Sequence, residues 1–191
     1  MLTFITGPVR SGKSNFAERF ARDSGRAVTY CATAARDDSD PEWIVRIERH
    51  RAQRPAEWKL VESAGPQGVD LVRLLCEIDT QRLVMVESLG TWVADQLGRR
   101  AATLGTDSVG LHNDVQNETN RLLDALAECR ADAIVVSEEV GWGVVPANPA
   151  GRIFRDVMGR ANQRLCAAAE RAYLVVSGVA IDLKKGLPSA D

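Results

Sequence analysis

Leu2-Thr3-Phe4-Ile5-Thr6-Gly7-Pro8-Val9-Arg10-Ser11-Gly12-Lys13-Ser14 is a short apolar run that breaks into the pattern G-x-x-x-x-G-K-S. An apolar strand followed by that spacing predicts a phosphate-cradling loop at the head of a helix, and with it an α/β nucleotide-binding fold. A chain of this length meets the pattern by accident with a probability of only roughly 1%. The residue types are those the chemistry needs. Gly7 and Gly12 let the backbone curl so that successive N–H groups converge on an anion. Lys13 reaches the β- and γ-phosphates as a point charge, and Ser14 offers a hydroxyl to Mg²⁺. The helix expected through residues 15–22 adds its positive end to the same place. Gly7, Pro8, Val9, Arg10, Ser11, Gly12, Lys13 and Ser14 are therefore the candidate triphosphate contacts.

Outward from this loop the chain alternates strand-like and helix-like segments. Apolar runs occur at 27–31, 83–87, 133–137 and 173–177, with a shorter one at 58–62 that suits an edge or accessory strand. Runs apolar at every position, rather than at alternate ones, imply burial on both faces, as in a parallel sheet covered by helices. Helical periodicity fills the gaps: from Pro41, capped by Asp40, to about Arg51, then near 67–78, 89–102, 111–130 and 150–171. Segments 34–40 and 103–110 read as exposed loops. The expectation is one domain over 1–191: an α/β, P-loop NTPase-like doubly wound sheet, mostly parallel, helices on both faces, with ligands at the C-terminal strand ends.

The totals narrow the partners. A net charge of −2 argues against a general nucleic-acid surface, and no apolar run approaches a membrane span. A strand beginning at residue 2 leaves no room for a signal peptide. Four scattered cysteines, Cys31, Cys76, Cys129 and Cys166, form no C-x-x-C pair and fit a reduced compartment. A cytoplasmic enzyme is the expectation.

Three further places could carry chemistry. Glu87 ends the 83–86 run, where a carboxylate can help Ser14 hold Mg²⁺; a strand-end acid capping the helix near Ser88 is the other reading. Glu138 to Pro146 contains Gly141-Trp142-Gly143 just past a strand, either an ordinary loop or one built for close approach to a ligand. His50 lies among Arg46, Arg49, Arg51 and Arg54. Such charge suits bound phosphate and favours a neutral, nucleophilic imidazole, although a lone His after Ile47 is also consistent with packing or surface.

Taken in order, these segments resemble the bifunctional adenosylcobinamide kinase / adenosylcobinamide-phosphate guanylyltransferase family of cobalamin biosynthesis. The resemblance covers the loop ending Arg10-Ser11-Gly12-Lys13-Ser14, Tyr30-Cys31-Ala32-Thr33-Ala34, and Arg46 to Pro55 with Trp58. It continues through Glu87, Glu139-Val140-Gly141-Trp142-Gly143-Val144-Val145-Pro146, Phe154-Arg155-Asp156, Gly159-Arg160-Ala161-Asn162-Gln163 and Leu174 to Gly178. It implies two activities: phosphoryl transfer from ATP or GTP to the aminopropanol hydroxyl of adenosylcobinamide, then GMP transfer from GTP to adenosylcobinamide phosphate through a guanylated histidine. That histidine carries over to His50, with Lys13 as the second catalytic residue. Nucleotide contacts carry over to residues 7–14, Ala32, Thr33, Ala34, Arg51, Ala52, Gln53, Arg54, Glu62 and Glu87, with Ser14 and Glu87 holding Mg²⁺. The resemblance also implies a homo-oligomer, a trimer. Cys31 and Cys166 stand where the family suggests an apolar and a small residue.

Two other classes fit part of the pattern. A P-loop kinase of another small metabolite, without guanylyl transfer, leaves His50 structural. A regulatory GTP switch lacks support, because no N-K-x-D motif occurs and Glu87-Ser88-Leu89-Gly90 is not D-x-x-G.

Overall fold

A computed structural model describes residues 1–35, 39–65, 67–104 and 107–185, without the side chains of Arg46, Arg49, His50, Gln53, Thr103 and Leu104. The elements run β1 (Leu2–Thr6), α1 (Lys13–Asp23), β2 (Ala27–Ala32), α2 (Pro41–Gln53), β3 (Lys59–Glu62), α3 (Leu71–Glu77), β4 (Arg82–Glu87), α4 (Leu89–Leu104), α5 (Ser108–Glu128), β5 (Asp132–Val136), α6 (Pro149–Ala168), β6 (Arg171–Val176) and β7 (Val179–Asp182). One sheet contains all the strands, in the order β3-β2-β4-β5-β1-β6-β7. Every pair is parallel except β6 with β7.

Alternate residues of the central strands feed two separate cores, which is why those strands read as unbroken apolar runs. Phe4, Val84, Val86, Ala133 and Val135 pack with Leu75, Leu89, Trp92, Leu122, Leu126 and Met158 on the face covered by α3 to α6. Ile5, Leu83, Met85, Ile134 and Val136 pack with Ala17 and Ala21 of α1 on the other. Helices on both faces of a mostly parallel sheet give the doubly wound, P-loop-type architecture that the sequence predicts.

Several boundaries shift. The expected 67–78 helix begins at Leu71, because the Asp70 carboxylate accepts from the N–H groups of Val72 and Arg73 and caps it there. The expected loop over 103–110 is shorter: α4 runs to Leu104 and α5 starts at Ser108, capped by Asp107. Part of the expected 34–40 loop, residues 36–38, lies outside the described residues. The periodicity gave no hint of β7. Ser177 (φ 51°) and Gly178 (φ 81°) form a two-residue turn with both residues left-handed, which folds β7 back antiparallel on β6.

Helix α2 differs from the others. Asp40 caps it as expected, accepting from the Trp43 N–H at 3.1 Å. None of its described side chains is buried, and its apolar residues Trp43 and Ile47 face a cavity instead of either core. This side of the helix is the inner surface of a cover.

Candidate active site

The phosphate loop occupies the C-terminal end of β1, with β5 on one side and β6 on the other. Gly12 is left-handed (φ 94°), a conformation that lets the chain turn straight into α1. Gly7 has no room for a side chain: a Cβ there would lie 2.3 Å from the Val175 carbonyl oxygen and 2.8 Å from Ser11 Oγ. The β6–β7 turn braces the loop from outside, Gly178 N–H donating to the Ser11 carbonyl at 2.8 Å. Lys13 is buried; its ammonium donates to the Pro8 carbonyl at 3.4 Å and lies 3.9 Å from Glu138 Oε1.

Beside the loop is a cavity of about 380 Å³. It is built at the C-terminal ends of four parallel strands, by Ala32 of β2, Glu62 of β3, Glu87 of β4 and Glu138 just after β5. This is where open α/β sheets bind ligands. Ala34 adds to the small-residue wall, while Arg51 and Arg54 enter from the end of α2. The Arg54 guanidinium lies over the Tyr30 ring, 4.4 Å from its centroid, which fixes a planar cation at the rim.

Two contacts join cavity and loop. Ser14 Oγ donates to Glu87 Oε1 at 2.8 Å, and Lys13 pairs with Glu138. Burial pushes the Glu87 carboxyl up to about 8, reinforced by the charge of Glu138; the Ser14 hydrogen bond and Lys13 act in the opposite direction. Its second oxygen, Oε2, is buried with no hydrogen-bond partner among the described residues. An orphaned carboxylate oxygen beside a hydroxyl and a triphosphate loop is a hard-oxygen donor set that suits Mg²⁺ completed by phosphates and water. No cluster of three or more His, Cys, Asp or Glu suited to a metal occurs among the described residues. Burial also raises the Tyr30 hydroxyl, with Glu87 adding to it, and raises the Glu18 carboxyl against the pull of Arg22 and Arg54.

Of the residues expected at the site, Ala32, Ala34, Arg51, Arg54, Glu62 and Glu87 line the cavity together, and Lys13 and Ser14 adjoin it. Pro8 is half-buried, Val9 and Arg10 are exposed, and Ala52 is exposed on α2. Thr33 is fully buried and takes a different part: its hydroxyl donates to the Ser88 carbonyl at 2.6 Å, tying the end of β2 to the β4–α4 junction. His50 belongs to α2, three residues after Ile47 and four before Arg54 in a helix whose positions 47, 51 and 54 reach the cavity. The side chains of His50 and Gln53 are outside the described ones. Glu138 and Tyr30 were not among the expected site residues. A strand-end signal like that of Glu87 was available for Glu138, the second residue past the 133–136 apolar run, but only the insertion of β5 between β1 and β4 puts it opposite Lys13.

Known proteins share this sequence along almost its whole length. The chain is 35% identical over 184 residues to the bifunctional adenosylcobalamin biosynthesis protein CobU of Salmonella typhimurium, covering 96% of this chain and 100% of that one. It is 36% identical over 187 residues to the CobU protein of Escherichia coli, with the same coverage. The bifunctional protein CobP of Pseudomonas aeruginosa is also 36% identical over 187 residues, 96% of this chain and 98% of its own. Among solved structures, the RadB recombinase superposes with a TM-score of 0.47 at 20% identity, covering 91% of this chain and 73% of that one. Residues 3–183 match the family described as cobinamide kinase / cobinamide phosphate guanyltransferase, and the chain belongs to that family.

Proposed function

We propose that this one nucleotide cavity serves both reactions of the family. An ATP or GTP γ-phosphoryl group first passes to the aminopropanol hydroxyl of adenosylcobinamide. GMP from GTP then passes, through a GMP–His50 intermediate, to adenosylcobinamide phosphate. The chain is a bifunctional cobinamide kinase and cobinamide-phosphate guanylyltransferase of adenosylcobalamin biosynthesis. The observation that carries the shared-site reading is the joint wall: the helix bearing His50 supplies Arg51 and Arg54 to the cavity whose floor, Glu87, is hydrogen-bonded to Ser14 of the phosphate loop.

The chemistry balances as two displacements on phosphorus for each GMP transferred. A ring nitrogen of neutral His50 forms a bond to the α-phosphorus while the bond to the bridging oxygen breaks, its electron pair leaving with pyrophosphate. A phosphate oxygen of adenosylcobinamide phosphate next bonds that phosphorus, the N–P bond breaks, and the pair returns to the imidazole; the product is adenosylcobinamide-GDP. In the kinase reaction the hydroxyl oxygen bonds the γ-phosphorus, the bond to the β–γ bridging oxygen breaks with its electron pair leaving on the nucleoside diphosphate, and the hydroxyl proton passes to solvent. Lys13 and the loop N–H groups from Gly7 to Ser14 hold the triphosphate in line for each. Arg51 and Arg54 offset charge on the departing group, and Ala32 and Ala34 shape the wall against which the nucleotide lies, with Thr33 between them anchoring it to Ser88. Ser14 and Glu87 hold Mg²⁺, which when bound supplies positive charge to the phosphates. The enzyme acts in the cytoplasm as a single domain and assembles as a homo-oligomer.

Incubation with α-labelled GTP tests the intermediate. The enzyme takes up an acid-labile, base-stable label that maps to His50, and His50→Ala takes up none while still phosphorylating adenosylcobinamide from γ-labelled nucleotide. A wild-type enzyme that phosphorylates a small alcohol without becoming labelled is a kinase only.

A further inference from the structure

A second cavity, of about 420 Å³, lies between the β5–α6 connection and α6, shares no lining residue with the first, and is used by none of the chemistry above. Its polar wall is Glu139 from the β5–α6 connection and Arg155, Asp156, Arg160, Asn162 and Gln163 from one side of α6. It is attached directly to the phosphate loop. Glu139 N–H donates to the Gly7 carbonyl at 3.2 Å, and Thr6 Oγ1 donates to Glu139 Oε1 at 3.1 Å.

Asn162, almost fully buried, locks the arrangement. Its amide nitrogen donates to the Glu138 carbonyl at 3.0 Å and to Glu139 Oε1 at 3.1 Å, while its oxygen accepts from Ser137 Oγ at 2.6 Å. The two neighbouring carboxylates at the strand tip thus serve different cavities, Glu138 the nucleotide cavity and Glu139 the second one, with Lys13 paired to the former. Both described side-chain hydrogen bonds of Glu139 fall on Oε1, which leaves Oε2 for a ligand hydroxyl. The loop along the rim is apolar and outward-facing: Val140 and Gly141 line the cavity, Arg155 donates to the Gly143 carbonyl at 3.4 Å, and Trp142, Val144 and Val145 are 68%, 94% and 62% exposed.

Resting on the proposed function, we propose that this second cavity is the acceptor site: the corrinoid sits at its mouth with its aminopropanol hydroxyl directed to Glu139. The chemistry of the walls matches that of the ligand. A corrinoid has a broad apolar ring face, which suits the exposed Trp142 and valines, and a fringe of primary amides, which both donate and accept and so suit guanidinium, carboxamide and carboxylate partners side by side. Donor and acceptor then meet at the phosphate loop, the donor beside Glu138 and Lys13 and the acceptor beside Glu139, which is bonded to Gly7 and Thr6.

The test uses the full-length enzyme, Trp142→Ala and the double variant Arg160→Ala/Gln163→Ala, with adenosylcobinamide binding followed by equilibrium dialysis on the absorbance of the corrinoid. The dissociation constant rises at least about ten-fold in each variant, as losing a charge-assisted and a neutral hydrogen bond or an aromatic contact predicts. Self-guanylylation, in which no corrinoid takes part, stays near the wild-type rate. Unchanged corrinoid binding in both variants overturns the proposal. So does a change of oligomeric mass by light scattering with corrinoid affinity preserved, which assigns the face to a second copy of the chain. The exposed position of Trp142 keeps that variant folded and the outcome readable. If wild-type enzyme takes no GMP label yet the variants lose corrinoid binding, the histidine intermediate falls and the acceptor site stands.

Discussion

Glu87→Gln should make the nucleotide-free protein more stable, and increasingly so as the pH rises. The Glu87 carboxyl titrates near 8 in the folded chain against an ordinary value of 4.5, chiefly because it is buried. Below pH 4.5 both folded and unfolded chains hold the proton. Between the two values the unfolded chain releases it and the folded chain keeps it, so stability falls by about 1.4 kcal/mol per pH unit; above 8 the loss is complete. The full interval corresponds to nearly 5 kcal/mol, but the carboxyl borders a cavity that admits water, and about 2–4 kcal/mol is the expected net effect. For a chain of this size that is a Tm difference of about 4–16 °C. Glutamine is close in shape to the protonated acid and does not titrate, so the variant escapes this loss. Scanning calorimetry of both proteins from pH 5 to 9 should show nearly equal Tm at the acid end and a widening gap, in favour of the variant, up to about pH 8. Addition of Mg²⁺ and GTP should reverse the order, because ligand raises wild-type stability and does little for a protein lacking the carboxylate. A Tm gap independent of pH would refute the assignment of the carboxyl as protonated and buried.

Gly7→Ala places a Cβ 2.3 Å from a backbone oxygen of β6, which has no rotamer to yield; a loss of about 1–3 kcal/mol follows, together with weaker nucleotide binding, and an unchanged Tm would show that the strand can move. Lys13→Ala removes the point charge from both reactions and leaves Glu138 without its cation; γ-phosphoryl transfer and self-guanylylation should both fall about 10²–10³-fold, and retention of either at the wild-type rate would show that the two do not share the loop. Arg54→Lys keeps the charge but loses the planar stack on Tyr30; the KM for GTP should rise while the fold is retained, which thermal melts and initial rates would check together.

The sheet and the phosphate loop were legible in the sequence because their signals are local. Doubly buried strands such as Leu83–Val86 must be apolar at every position, and a loop that wraps phosphates needs its glycines at fixed offsets. What escaped was set by neighbours distant along the chain. Glu138 belongs to the site because β5 lies between β1 and β4, and strand order is not written in any one segment. Helix α2 was legible as a helix, with its cap, but its pattern could not say what Trp43 and Ile47 face, since a stripe facing a ligand cavity has the same periodicity as one facing a core. Thr33 was expected at the nucleotide and instead bonds Ser88, a backbone partner some fifty positions away. Strand β7 has four residues, two of them, Val179 and Ile181, facing solvent at an edge, too short and too wet to stand out.

The first strand has both its sheet neighbours in the last third of the protein, β5 and β6, and its loop is steadied by Gly178. A ribosome making this chain therefore releases the triphosphate-binding segment more than a hundred residues before the strands that flank it. Until β5 and β6 emerge, β1 has no neighbour to pair with, and until Gly178 follows them its loop lacks that outer brace. The loop's surroundings thus assemble in steps, each made long after the loop itself.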